Sequence, residues 1–405
     1  MFNANKKTAK LYADIIQQLY YGEQLSCAEL SLLTDKSIPL VTKAVNYLID
    51  AGFVVEQGYA PSSGGRRPLM YAVKHDRLYV VTVAMDQLST RIGIIDLLNN
   101  YVSPVEIISL KLQDNPDALN SLTELITRHI ENSGLDKEKI IGIGIGMPGF
   151  VNVNDGINYT YLDAGEKTLT QHIEDIVGLP VYIDNDSSLI ALSELKFGVA
   201  KSIKDVMVIN IGWGIGLGMI INGKIFRGEN GFAGEFSHIP ITEDGSLCTC
   251  GKQGCLEAEA SLLSVAEKAI EGVKNGQVTI LQQYIAEDSS NLAVGSALME
   301  AANKGDQYAI ELLAEAGYKM GRGLSILIHI LNPKAIVLSG RGVKVAKLLL
   351  APIQQALNKY CIPRLASGTE IFISEIGFDA ELIGSAILVM ENFGQHHEES
   401  VTSIT

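Results

Sequence analysis

The chain has 405 residues, 47% of them hydrophobic, with 39 glycines and a formal charge of −14 at pH 7. That content at that length supports two or three domains with true cores and excludes a disordered polymer. The polar stretch from Met1 to Lys10 and the lack of a membrane-spanning apolar run predict a cytoplasmic protein with no membrane partner. Five cysteines, three of them clustered, do not make the dispersed, even pattern of a disulfide scaffold. The net charge alone argues against nucleic acid, but it is unevenly placed. Residues 1–76 carry eight Lys/Arg against seven Asp/Glu, or +1, which leaves −15 for the remainder. A small head with different business from an acidic body is the expectation.

In that head, Leu11, Ile15, Ile16 and Leu19 recur at helical spacing between Thr8 and Tyr20. Ser26 opens a second helix through Leu33. After Thr34-Asp35-Lys36, Ser37 is placed to cap a third helix with Pro39 in its first turn, ended by Gly52. The third helix is expected to bury Leu40, Val41, Ala44, Val45 and Leu48 and to turn Thr42, Lys43 and Asn46 outward. Phe53-Val54-Val55 and Leu69 to Val73 read as strands around the loop from Pro61 to Pro68. Three helices and a basic-tipped hairpin make a winged helix-turn-helix over residues 1–76. Thr42, Lys43 and Asn46 would face base edges and phosphates in the major groove of a double-stranded DNA operator, and Arg66 and Arg67 would enter a minor groove. A tri-helical protein-interaction module with a solvated loop is the alternative.

Past Asp76 the pattern alternates between strand and helix. Leu78 to Asp86, Arg91 to Leu97 and Val105 to Leu112 read as strands, Ala118 to Asn132 as a helix, and Lys139 to Gly146 as a buried strand running into Met147-Pro148-Gly149. Val181-Tyr182-Ile183 delivers Asp184-Asn185-Asp186 to a helix from Ser187 to Phe197. A second strand set, Val206 to Ile211 and Leu217 to Ile221, flanks the turn Gly212-Trp213-Gly214-Ile215-Gly216. A mostly helical region follows to about Ile330, then a strand from Lys334 to Gly340 and a closing helix from Glu381 to Asn392. Two α/β lobes with a cleft between them are implied.

The segment Gly234-Glu235-Phe236-Ser237-His238, with Cys248-Thr249-Cys250 and Gly254-Cys255-Leu256-Glu257, places one histidine and three cysteines between two glutamates. Thiolates and a neutral imidazole hold tetrahedral zinc, and a set of His238, Cys248, Cys250 and Cys255 leaves no position for a reactive water, so the expected zinc is structural. It would also fix where Glu235 and Glu257 point. Reduced cysteines in a glycine-rich loop without metal are the alternative.

Gly146-Met147-Pro148-Gly149, Asn185-Asp186, Gly234 to His238, Cys248-Thr249-Cys250 and Gly254 to Glu257 together resemble the ROK family of repressors and sugar kinases. The resemblance spans residues 77 to about 395, and the head ending in Gly65-Arg66-Arg67-Pro68 is similar to the repressor branch. It implies an α/β chain in which a winged helix-turn-helix precedes a two-lobed, actin-like sugar kinase fold. The implied domains are 1–76, a first lobe 77–193 completed by a helix at about 379–395, and a second lobe 194–378 with the zinc loop. It also implies that Gly149, Asn185, Asp186, Glu235, His238 and Glu257 bind a sugar, and that Asp186 is the general base where the protein is a kinase. Asp186 also reads as a helix N-cap.

Family kinases place a glycine turn, Asp-x-Gly-Gly-Thr, against the nucleotide phosphates. Here the turn is Asp86-Gln87-Leu88-Ser89-Thr90, whose Cβ atoms would crowd that place, and Trp213 is expected to occlude the same space from the second lobe. Structural zinc without ATP or magnesium is therefore expected. The reading is a sugar-responsive transcriptional regulator, a repressor of carbohydrate-metabolism genes with a degenerate ATP site, acting as a homodimer or homotetramer on DNA. A bifunctional regulator that keeps sugar kinase activity is the alternative. No surplus of Lys or Arg surrounds the sugar motifs, which favours a neutral sugar.

Overall fold

A computed structural model of the chain describes residues 5–61, 67–285 and 290–394. The head comprises α1 (Lys6–Gly22), β1 (Leu25–Ser26), α2 (Cys27–Thr34), α3 (Ile38–Asp50), β2 (Val54–Tyr59) and β3 (Leu69–Val73). Ser26 caps α2 in a reciprocal box: its hydroxyl accepts from the Glu29 N–H, and the Glu29 carboxylate accepts from the Ser26 N–H at 2.7 Å. The three strands pair in the order β1-β3-β2, all antiparallel.

Two details of α3 differ from expectation. Val41, Ala44, Val45 and Leu48 are buried, but Leu40 is 45% exposed. At about 100° per residue it lies roughly 90° round the helix from the centre of the buried arc. Ser37 does occupy the N-cap position, yet its side chain makes no cap bond. A capping hydroxyl needs the N–H of the second or third helical residue, and Pro39 removes the first of these donors.

The first lobe holds β4 (Tyr79–Met85), β5 (Ser89–Asp96), β6 (Glu106–Ser109), α4 (Ala118–Ser133), β7 (Ile140–Met147), β8 (Val151–Asn152), β9 (Ile157–Asn158), α5 (Leu169–Val177), β10 (Val181–Asn185) and α6 (Asp186–Lys196). The second holds β11 (Val206–Ile211), β12 (Ile215–Ile221), β13 (Lys224–Ile225), α7 (Leu256–Ala260), α8 (Leu262–Lys274), α9 (Asn291–Asn303), α10 (Gln307–Leu331), β14 (Ala335–Ser339), α11 (Ala346–Tyr360), α12 (Pro363–Ala366) and β15 (Glu370–Ile373), followed by α13 (Ala380–Asn392). The patterning read above does not mark α5, α11 or β15. The sheets have the orders β10-β7-β4-β5-β6 and β15-β14-β11-β12-β13, the same topology twice, with two parallel and two antiparallel pairings in each, so that only β5 and β12 run against their neighbours.

Between the sheets lie two helices, α13 on the first sheet and α6 on the second, packed on each other. Small residues permit this. A Cβ on Gly144 of β7 would meet the Ser385 carbonyl of α13, one on Gly384 would meet the Leu189 carbonyl of α6, and one on Gly218 of β12 would meet α6 at Ser187 and Ala191. The outer faces are covered by α4 and α5 on the first sheet and by the α8–α11 layer on the second.

The head is not joined to the body through Asp76 alone. Leu11, Ile15, Ile16 and Leu19 of α1 share one apolar cluster with Leu189 and Leu192 of α6 and Ile387 and Leu388 of α13. Gln17 donates to the Met390 carbonyl at 2.6 Å, and the Tyr20 hydroxyl donates to Asn99 at 2.6 Å. The Tyr20 ring meets Phe197 edge-on at 5.3 Å, and the Lys196 ammonium lies 4.4 Å from the Tyr21 ring centroid. Among the described residues no helix is long and apolar enough to cross a membrane.

Candidate functional site

In open sheets of this kind ligands bind beyond the carboxyl ends of the parallel strands, where loops converge. Here those ends are Asp86 after β4, Pro148-Gly149 after β7, Asn185-Asp186 at the end of β10, Gly212 to Gly214 after β11 and Gly340-Arg341 after β14. They enclose a cleft of about 460 Å³ between the lobes, and Gly149, Asn185, Asp186, Glu235, His238 and Glu257 all border it. Residues spread over more than a hundred positions of sequence thus face one space.

The local structure explains each placement. Asn185 is the N-cap of α6, its side-chain oxygen accepting from the Ser187 and Ser188 N–H groups. Asp186 is therefore the first helical residue, and the N-cap expected of it belongs to Asn185. With its oxygen committed, Asn185 turns its amide nitrogen toward the cleft, where it makes only a long 3.4 Å bond to the Gly149 carbonyl. Asp186 accepts from the Ser187 N–H at 2.7 Å and from the Asn210 amide at 3.1 Å. Burial pushes its carboxyl up to about 7, against the Ser187 donors, and the Asp86 and Glu257 carboxylates add to the rise. Glu257 in the first turn of α7 accepts from the Ile215 N–H at 3.3 Å, and burial raises its pKa as it raises that of Glu235. Gly149, at φ +92°, sits where a Cβ would strike Thr160.

His238, Cys248, Cys250 and Cys255 bring their ligand atoms within 4.8 Å of one another. Cys250 and Cys255 sulfurs are 3.6 Å apart, and Cys248 sulfur is 3.5 Å from His238 Nδ1. A Zn–S bond of about 2.3 Å implies tetrahedral edges of about 3.8 Å, close to these two separations, so the four groups are placed to hold such an ion. A metal held there would cross-link the loop and supply no reactive position. His238 Nε2 remains on the far side of the ring, 3.6 Å from Glu235. One histidine thereby faces both the ligand cluster and the cleft.

In the first-lobe turn after β4, Asp86 accepts from the Leu88 and Ser89 N–H groups at 2.8 and 2.7 Å and from the Ser89 hydroxyl at 2.9 Å. The backbone donors that a phosphate would need are thus bound internally. Leu88 packs against the second-lobe core instead of projecting into the cleft. Trp213 borders the cleft but is 2% exposed, its ring packed into the second lobe where a Cβ on Gly295 would touch it. The group that crosses the cleft is Arg341, which patterning missed although it directly follows a strand end. It donates to Asp86 at 3.1 Å and lies 4.7 and 4.5 Å from the Trp213 and Phe378 ring centroids. Two further groups were invisible in the sequence because they sit inside regular elements: Asn210 of β11, bonded to Asp186, and Glu381 of α13, which accepts from the Met85 N–H at 3.1 Å and faces buried Arg91.

In the head, Lys43 and Asn46 are exposed on α3. Thr42 is half-buried, and its hydroxyl is turned back on the Ile38 carbonyl at 2.9 Å. Arg67 is exposed beside the Tyr59 ring, 6.0 Å from its centroid, while Arg66 lies outside the described residues.

A family model described as the ROK family matches residues 97–392. The chain belongs to the ROK family. A glucokinase of Halalkalibacterium halodurans is 32% identical over 319 residues, 78% of this chain and 96% of that protein. A xylose repressor of Caldicellulosiruptor bescii is 29% identical over 388 residues, 93% of this chain and 94% of the repressor. Of solved structures, a ROK family transcriptional regulator described as a homologue of the E. coli MLC protein superposes with a TM-score of 0.74 at 23% identity, covering 96% of this chain and 97% of that one. This ROK chain shares its body with kinases and its full length, head included, with repressors.

Cys250→Ser is expected to reduce bound zinc from about one per chain to a small fraction and to lower the unfolding temperature by roughly 5–10 °C. Metal analysis and a thermal melt check it; full occupancy or an unchanged melt removes the metal-anchored loop. Asp186 yields a pH-dependent expectation. Its folded pKa of about 7 exceeds the unbound value of 3.8, so the buried carboxylate destabilises the fold fully above about pH 7 and ever less as pH falls toward 3.8. Asp186→Asn is expected to raise the unfolding temperature by several degrees at pH 8 and to lose that gain near pH 4. An equal gain at both pH values counts against burial as the cause.

Proposed function

We propose that this ROK chain is a sugar-responsive DNA-binding regulator, a repressor of carbohydrate-metabolism genes, in which a cleft of kinase architecture serves as the sensor. The observation that carries the reading is helix α6. Its first residues, Asp186 and its cap Asn185, border the cleft, and the Lys196 and Phe197 end meets Tyr20 and Tyr21 of the head. One rigid element therefore touches both the cleft and the DNA-binding module.

A sugar presents vicinal hydroxyls that both donate and accept. Carboxylates of Asp186, Glu235 and Glu257 accept from them, and the amide nitrogen of Asn185, held only by its long bond to Gly149, donates. His238 would present its outer nitrogen while its inner one, with Cys248, Cys250 and Cys255, holds structural zinc. Occupancy favours the interlobe angle that binds sugar better, and α6 carries that change to α1. Residues 1–76 are the DNA-reading domain, with Lys43, Asn46 and Thr42 of α3 toward the major groove and Arg66 and Arg67 on the wing. The lobes are 77 to about 196, completed by α13, and about 197–378, since a boundary at 193 would cut α6. In a symmetric oligomer a shift of two such heads changes the half-site spacing they match.

Purified protein should enrich a sequence from random double-stranded DNA, and a sugar from a neutral monosaccharide and oligosaccharide panel should change affinity for it at least fivefold. In Phe197→Ala the sugar should still bind within about twofold of its original Kd while its effect on DNA falls below about twofold. Absence of any enriched sequence, or of any sugar effect, overturns the regulator. A full response in Phe197→Ala overturns the route through α6.

Retained sugar kinase activity is a second reading, favoured by one feature: a base poised near pH 7 at Asp186. Against it stand the internally bonded turn at Asp86 and the Arg341 bridge. Incubation with ATP, magnesium and the same sugars is expected to yield no phosphorylated sugar. Turnover that vanishes in Asp186→Ala establishes the kinase.

A further inference from the structure

Next to the interlobe cleft lies a second cavity of about 600 Å³, lined by Asn152, Asn154, Tyr159, Arg227, Asn230 and Glu391 among others, and sharing Gly231 and Phe232 with the first. Phe232 stands at the junction. Phe150 meets it at 5.2 Å with planes tilted by 68°, and Tyr159 meets it at 5.9 Å and 89°. Phe150 and Tyr159 are 41% and 59% exposed. Three aromatic rings clustered at a cavity mouth, two of them exposed, are an arrangement that a self-contained loop has no reason to keep.

The polar groups around these rings suit hydroxyls better than an anion. Arg227 is the cation of the second cavity, and its guanidinium is engaged by buried Asp184, while its buried Nε has no hydrogen-bond acceptor among the described residues. Glu229 and Glu391 also border the space and repel a phosphate. Side-chain amides of Asn154 and Asn230 offer neutral donors and acceptors. Aromatic faces carry negative charge density that attracts the weakly positive C–H face of a pyranose. Cavities that bind small molecules combine such apolar walls with a few convergent polar groups. The first cleft alone is within the range of about 300–1,000 Å³ that takes a drug-sized ligand, more than one hexose ring requires.

We propose that the cavity beyond Phe232 is a second sugar subsite and that the effector of this chain is a neutral disaccharide or longer oligosaccharide. One ring lies against Asp186, Glu235 and Glu257, and the next leans on the aromatic rim. The proposal rests on the sugar-sensing reading given above and specifies its ligand class.

Calorimetric titration of the full chain tests it, using glucose, xylose and N-acetylglucosamine beside cellobiose, maltose, xylobiose and chitobiose, with glucose 6-phosphate as the anionic probe. At least one disaccharide is expected to bind tenfold or more tightly than its constituent monosaccharide, and glucose 6-phosphate no more tightly than glucose. Tyr159→Ala, and separately Asn154→Ala, should remove most of that tenfold gain while leaving the monosaccharide Kd within twofold. Both residues are exposed, so either variant is expected to fold. A monosaccharide that binds as tightly as every disaccharide, or a disaccharide gain that survives both substitutions, overturns the second subsite while leaving the sensor intact. Failure of every probe to bind overturns the sugar-sensing reading itself, and the subsite with it.

Discussion

The fold depends on the close stacking of two helices between two sheets. Nothing larger than hydrogen fits at Gly144 between β7 and α13, at Gly384 between α13 and α6, or at Gly218 between α6 and β12. Approach at this distance leaves little slack, because interiors are packed to crystal-like density and shift between discrete arrangements more readily than they deform. Helix α6 is held by its neighbours along its length, with a polar network at its N-terminus and an aromatic contact at its other end. Tight packing along α6 thus links the polar network at Asp186 with the ring contact at Tyr20.

The same packing gives a different meaning to the glycine-rich run from Gly212 to Gly218. Glycines there suit a phosphate turn and a tight hairpin alike. In the structure Gly216 and Gly218 admit Ser187 and Ala191 of α6, so these two glycines are required by packing in this chain. Their presence therefore carries no information about nucleotide chemistry. The informative residues are those that occupy or spend the groups a phosphate would use: Asp86, which caps its own turn, and Arg341, which binds Asp86 from the opposite lobe.

The sequence made some of this legible and hid the rest for physical reasons. Local signals worked where a residue acts on its own neighbourhood: Ser26 opening α2, the periodic apolar face of α3, and the Cys-x-Cys spacing that brings Cys248, Cys250, His238 and Cys255 together. Leu40 failed because a wheel edge is decided by what packs there. The burial of Trp213 could not be read because the space for its ring is left by Gly295, over eighty residues away. Asn210, Glu381 and Arg341 act through partners that only the tertiary fold supplies, so no period or spacing could announce them. The docking of α1 on α6 and α13 is of the same kind: Ile15 and Ile16 read as a helix core whether they face the head or the body.

Charge in the cleft follows from that arrangement. Asp86, Asp186 and Glu381 are drawn into one partly dry space, where burial raises the pKa of Asp186 and Glu381 and the Asp86 carboxylate adds to both rises. Arg91 and Arg341 are the compensating cations, both lying against Phe378 and each bonded to one of those acids. A kinase of this architecture has to bring magnesium and a polyphosphate to such carboxylates, and the anion and cation arrive together. In this chain a guanidinium fixed by covalent connection already neutralises Asp86, so bringing in a nucleotide would require first breaking an interlobe contact. A neutral sugar makes no such demand, since it needs only hydrogen-bond acceptors and the removal of water. The electrostatics of the cleft therefore suit a neutral ligand better than a polyphosphate for as long as Arg341 holds Asp86.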